Sequence, residues 1–136
     1  MKVNVDWSGD MAFKAEINGF KLNIDADEKV GGKNTGPRPK PLLLVSLGGC
    51  TGMDVISILG KMRVVPEYFN VEIDAEQTDE HPKYYHKIHI KYIFKGKDLP
   101  LEKLEKAVNL SKERYCGVSA MLGKAAKITH EIIIEN

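Results

Sequence analysis

The chain holds two thiols, Cys50 and Cys116, and they are its clearest candidates for chemistry. A thiolate is both a nucleophile and a soft metal ligand, and its charge depends on what surrounds it. Cys50 lies between Gly48-Gly49 and Thr51-Gly52, small residues that leave room beside a sulfur for a substrate or a second sulfur. Cysteine is equally at home in a core as a small hydrophobe, so packing is the alternative reading. Cys116 falls at a junction between two expected helices, with Lys112 and Arg114 close in sequence. The amides and dipole of the following helix could stabilise a thiolate there. Arg38, one of only three arginines, stands between Pro37 and Pro39. Two prolines fix its backbone just ahead of the segment carrying Cys50. It could polarise a thiolate, clamp an oxyanion, or remain a solvated loop residue.

Several chemistries are excluded. Two cysteines cannot build a disulfide-rich scaffold or a four-cysteine zinc or iron–sulfur site, and they are too far apart for a CxxC pair. The histidines do not converge: His81 is in a turn, His86 and His89 fall on opposite faces of one strand, and His130 is on the last strand. No phosphate-binding glycine loop or nucleophile elbow is present, so neither a cofactor nor a metal is expected. The 20 Lys+Arg residues nearly balance 19 Asp+Glu, leaving +1, and argue against nucleic acid as a partner. The opening Met1-Lys2-Val3-Asn4-Val5-Asp6 carries charge where a signal peptide is apolar. The apolar run Leu42 to Leu47 is too short to span a bilayer. No membrane is expected, and a reducing cytoplasm is the expected compartment.

The elements that must position these residues can be read from periodicity. Val3, Val5 and Trp7, then Met11, Phe13, Ala15 and Ile17, then Phe20, Leu22 and Ile24 alternate with polar residues. Ser8-Gly9-Asp10 and Asn18-Gly19 separate them, giving three antiparallel strands. The glycine- and proline-rich stretch 25–40 predicts a mobile loop. From Leu42 to Arg63 apolar residues nearly encircle a helix axis, the mark of a central, buried helix. Gly48-Gly49 within it suggests close approach by another backbone or helix. Phe69–Glu76 and His86–Lys95 alternate as two strands with acidic and basic outer faces. Pro100–Arg114 and Val118–Ala126 read as helices, and Ile128–Glu135 as a last strand. The order is β-β-β-α-β-β-α-α-β. It predicts one α+β domain over 1–136, with a long central helix packed on antiparallel sheets.

The run from Gly36 to Leu59, GPRPKPLLLVSLGGCTGMDVISIL, together with Tyr115-Cys116-Gly117-Val118-Ser119, resembles the OsmC/Ohr family of osmotically induced and organic-hydroperoxide-resistance proteins. The resemblance covers the whole chain. It implies an intertwined homodimer with active sites at the subunit interface, and thiol-dependent reduction of small organic hydroperoxides. Cys50 would be the peroxidatic thiol and Cys116 the resolving one, with an external dithiol as reductant. The family's characterised peroxidases carry a glutamate upstream of the peroxidatic cysteine, which orders an N-terminal arginine. Here Lys40 and Pro41 stand at that place, and the turn Trp7-Ser8-Gly9-Asp10 has no arginine. Arg38 is the available substitute. A dimer that binds a small apolar or thiol-reactive ligand without turnover, or a thiol redox sensor, is the alternative function.

Overall fold

The computed structural model describes all residues, 1–136, and divides into two compact units, Met1–Val45 and Ser46–Asn136. In the first unit, β1 (Asn4–Gly9), β2 (Ala12–Ile17) and β3 (Phe20–Ile24) form an antiparallel sheet in that order. The β2–β3 turn is the two-residue connection its Asn-Gly pair specifies, with Asn18 at φ 51° and Gly19 at φ 82°. Ala15 is buried, yet the apolar face is otherwise open, with Trp7 67% and Phe20 76% exposed.

The stretch after β3 is not the loose loop its composition suggests. Asp25 is buried, and its carboxylate accepts hydrogen bonds from the amides of Ala26 (2.7 Å), Lys33 (3.2 Å) and Thr35 (3.1 Å) and from the Thr35 hydroxyl (2.7 Å). The Asp25 amide donates to the Pro37 carbonyl at 3.1 Å. The loop folds tightly around one carboxylate. A Cβ at Gly32 would collide with the Ala26 carbonyl, and one at Gly36 with that of Asn23. Those glycines serve close packing rather than mobility.

Helix α1, Leu42–Lys61, leads into the second unit. It is long and apolar enough by length and composition to cross a bilayer, which the six residues Leu42 to Leu47 alone do not suggest. It is not buried on most faces either. Only Leu47, Thr51, Val55 and Leu59 are buried, a single stripe at four-residue spacing, and Met53 and Ile56 remain exposed. The close approach falls on a sheet and not on a helix. A Cβ at Gly48 would stand 3.2 Å from Ile73 Cδ1, and one at Gly52 3.4 Å from Val71 Cγ2, whereas Gly49 faces open space.

That sheet comprises β4 (Tyr68–Gln77), β5 (Tyr85–Lys95) and β6 (Lys127–Glu135). β4 and β5 pair antiparallel in the register that sets Glu72 opposite Lys91 and Glu76 opposite Lys87, with Phe69 stacked on Phe94 at 4.5 Å. β6 instead joins β5 in parallel, so the sheet is mixed and not antiparallel throughout. The chain returns from β5 through helices α2 (Leu101–Leu110) and α3 (Gly117–Leu122), and a crossover of that kind delivers a strand in the same direction. Ile88, Ile90, Tyr92 and Phe94 of β5 form the core with Leu104, Ala107 and Val108 of α2 and the buried stripe of α1.

Candidate active site

Three polar elements of the second unit meet beside α1. Cys50 and Asp54 are four residues apart on the helix and therefore share one face. Between α2 and α3 the chain does not stay α-helical as periodicity suggests. It widens into a π-helical turn, Ser111–Tyr115, closed by the Cys116 amide donating to the Ser111 carbonyl at 2.8 Å. Such single wide turns recur at functional sites. This one puts Ser111 and Cys116, five residues apart, on the same local constellation. The Cys50 and Cys116 sulfurs and an Asp54 carboxylate oxygen all lie within 4.8 Å of one another. Both cysteines are free thiols.

A chain of hydroxyls leads to the carboxylate. Tyr92 OH lies 2.8 Å from Thr51 Oγ1, Thr51 Oγ1 2.8 Å from Ser111 Oγ, and Ser111 Oγ donates to Asp54 Oδ2 at 2.9 Å. Each hydroxyl has one proton. Ser111 gives its proton to Asp54, so it must accept from Thr51, which must in turn accept from Tyr92. All donors therefore point toward Asp54. Tyr92, Thr51 and Ser111 are each no more than 1% exposed, so the chain is shielded from water and polarised in one direction.

Cys116 is less accessible than Cys50. It is only 4% exposed. It caps α3, with the Ser119 amide donating to its sulfur at 3.4 Å. That interaction favours a thiolate, as does a second bond from the Ser119 side chain. Burial outweighs both, and with its hydrogen bond to Cys50 it pushes the Cys116 thiol upward. The neighbouring cations point elsewhere: Lys112 donates to His130 Nδ1 at 3.4 Å, and Arg114 lies over the Tyr115 ring. Burial, and beyond it the neighbouring Cys116 and Asp54, likewise raise the Tyr92 phenol, against its hydrogen bond with Thr51.

Cys50 is half-buried, and the structure brings it to Cys116. Arg38 belongs to the first unit, where its guanidinium donates to the Gly36 carbonyl at 2.9 Å and meets Asp27 at 3.5 Å. Sequence reasoning overlooked Asp54, although it is the sole charged residue between Lys40 and Lys61 and stands one turn from Cys50. Ser111 and Tyr92 gave no comparable signal. The two sulfurs and carboxylate are donors of kinds that zinc accepts; three are too few for a closed structural site and match the number an open catalytic site uses. With its protonated thiol and directed hydroxyl chain, the cluster is organised for acid–base and thiol chemistry.

The family model for OsmC-like proteins matches residues 32–131, a span that includes both cysteines, Asp54, Tyr92 and Ser111. The chain belongs to the OsmC-like family. Protein YhfA of Escherichia coli K12 is 35% identical over 131 residues, covering 96% of this chain and 95% of the relative. A hypothetical protein from Aquifex aeolicus has a solved structure with TM-score 0.83 and 34% identity, covering 99% of this chain and 97% of that one. The organic hydroperoxide resistance protein OsmC of Legionella pneumophila shares the OsmC-like fold at TM-score 0.72 and 12% identity, over 97% of this chain and 95% of that one.

Proposed function

We propose that this OsmC-like protein is a thiol peroxidase that reduces small organic hydroperoxides in oxidative-stress defence. The observation that carries the reading is the convergence of Cys50 and Cys116 from distant parts of the chain to within 4.8 Å. Their environments divide the roles. Cys50 is the more open sulfur and takes the peroxide; its thiolate attacks the O–O bond, leaving Cys50 as a sulfenic acid and releasing the alcohol. Cys116, buried and held as a thiol, waits beside it and condenses with the sulfenic acid, forming a disulfide and water. An external dithiol then exchanges with that disulfide and restores both thiols. Prompt resolution protects Cys50 from irreversible over-oxidation. Arg38 is assigned the developing alkoxide, supported by its rigid Pro-Arg-Pro backbone and by its presence in the family-like segment.

We also place the protein in a homodimer, supported by exposed apolar residues in both units: Val5, Trp7 and Phe20 on the first, Met53 and Ile56 on the second. Sedimentation should give twice the 15.2 kDa chain mass. With dithiothreitol as reductant, wild type should consume cumene hydroperoxide through many turnovers. Cys50→Ser should reduce consumption at least a hundredfold, and Cys116→Ser should leave a Cys50 sulfenic acid that dimedone traps. Consumption by Cys50→Ser at the wild-type rate would make the site a ligand holder instead of a peroxidase.

A further inference from the structure

Forming the disulfide requires a proton to move, and the site contains a group suited to move it. The Cys116 thiol is 4% exposed, so water is poorly placed to accept its proton. The Ser111, Thr51 and Tyr92 hydroxyls already commit their protons along the chain toward Asp54 and offer no base. The Asp54 carboxylate ends that chain and stands within 4.8 Å of both sulfurs. Its Oδ2 is fixed by Ser111, and the same turn carries Cys116, so acceptor and thiol are positioned by one piece of backbone.

We propose that Asp54 is the proton relay of disulfide formation: its carboxylate takes the proton from the Cys116 thiol as that sulfur attacks Cys50, then delivers it to the departing oxygen. The Cys50 sulfenic acid and the Cys116 thiol become a disulfide and one water. The S–S bond forms while the S–O and S–H bonds break; the sulfenic sulfur is reduced and the Cys116 sulfur oxidised. The oxidant is the hydroperoxide that made the sulfenic acid, so the proposal rests on the peroxidase reading for its biological setting. Asp54 is then a catalytic residue, because it exchanges a proton with a reacting atom.

The closing step can be isolated without peroxide. 2,2′-Dipyridyl disulfide converts Cys50 to a mixed disulfide and releases one thiopyridone; attack by Cys116 releases a second, read by absorbance. Wild type should release two in sequence, and Cys116→Ser only one. In Asp54→Asn the second release should slow at least tenfold, Asp54→Glu should recover most of it, and added formate should accelerate Asp54→Gly. Second release by folded Asp54→Asn at the wild-type rate would overturn the relay.

If Asp54→Asn fails to fold, the pH profile of the wild type decides. The groups facing the carboxylate are the two thiols and, through Ser111 and Thr51, the Tyr92 phenol. His130 packs edge-on to Tyr92 at 6.1 Å and carries Lys112 on its ring nitrogen. A relay gives closure that does not wait on a free thiolate, so its rate stays level as pH rises through neutrality. Direct attack by a free thiolate would instead rise tenfold per pH unit to the thiol range, and that profile would overturn it. Asp54-dependent closure in a protein whose Cys50 ignores organic hydroperoxides would refute the peroxidase reading while sustaining the relay.

Discussion

Thr51 ties three elements together with one oxygen. From α1 it accepts from Tyr92 on β5 and donates to Ser111 on the π-helical turn, both at 2.8 Å and all out of contact with water. Replacing it with valine keeps the shape and strands two buried polar groups, each costing about 1–3 kcal/mol. Tyr92→Phe removes one end of the chain and orphans no donor, so about 0.5–1.5 kcal/mol is expected. Urea unfolding should therefore rank Thr51→Val as clearly less stable than Tyr92→Phe, with lower midpoints and unchanged slopes. Equal midpoints would mean that the hydroxyl chain contributes little to holding the site. The two cysteines were legible at this scale because residue type alone marks them. Asp54 went unread, although a lone charge at helical spacing from Cys50 was there to be noticed. Ser111 was not legible: the wide turn shifts its phase, and one extra residue in a helical turn leaves no trace in hydrophobic spacing.

The strands followed from alternation to within a residue or two. The helices followed from 3.6-residue periodicity, except that the second gives way to the π-helical turn at Ser111 and the third ends at Leu122 and not Ala126. The segment between β3 and α1 followed from neither. Glycine and proline announce a departure from regular structure but not how rigid it is. Here rigidity comes from Asp25. The Thr35 hydroxyl, chiefly, and the amides of Thr35, Ala26 and Lys33 hold its carboxyl at about 2, against an ordinary value of 3.8. The folded state thus binds fewer protons than the unfolded chain near pH 3. This contribution to stability is present above about pH 4 and is lost as pH falls through about 2. The melting temperature of wild type should drop across that window. Asp25→Asn should melt lower at pH 7 and lose most of the acid dependence that this loop contributes. An unchanged acid profile in Asp25→Asn would assign the dependence to other carboxylates. The parallel placement of β6 was illegible for a related reason: alternation reveals a strand but not its direction, which the preceding crossover sets.

At the scale of the whole molecule, the all-round apolar character of α1 exceeds what one chain buries. The unit that contains the site covers only the stripe from Leu47 to Leu59, leaving Met53 and Ile56 at the surface. The homodimer proposed above would cover those residues and the open aromatic face of β1–β3. Both sulfurs, Asp54 and its hydroxyl chain, however, all belong to one unit of one chain, Ser46–Asn136. The disulfide should therefore form within a chain and not across the dimer. The most direct measurement treats fully reduced protein with one equivalent of cumene hydroperoxide per protomer, then counts free thiols and determines the mass under non-reducing, denaturing conditions. Both thiols should disappear, at the mass of a single chain, and dithiothreitol should restore them. Retention of both thiols, or loss of only one with no disulfide, would contradict the pairing of Cys50 with Cys116 on which the functional reading depends.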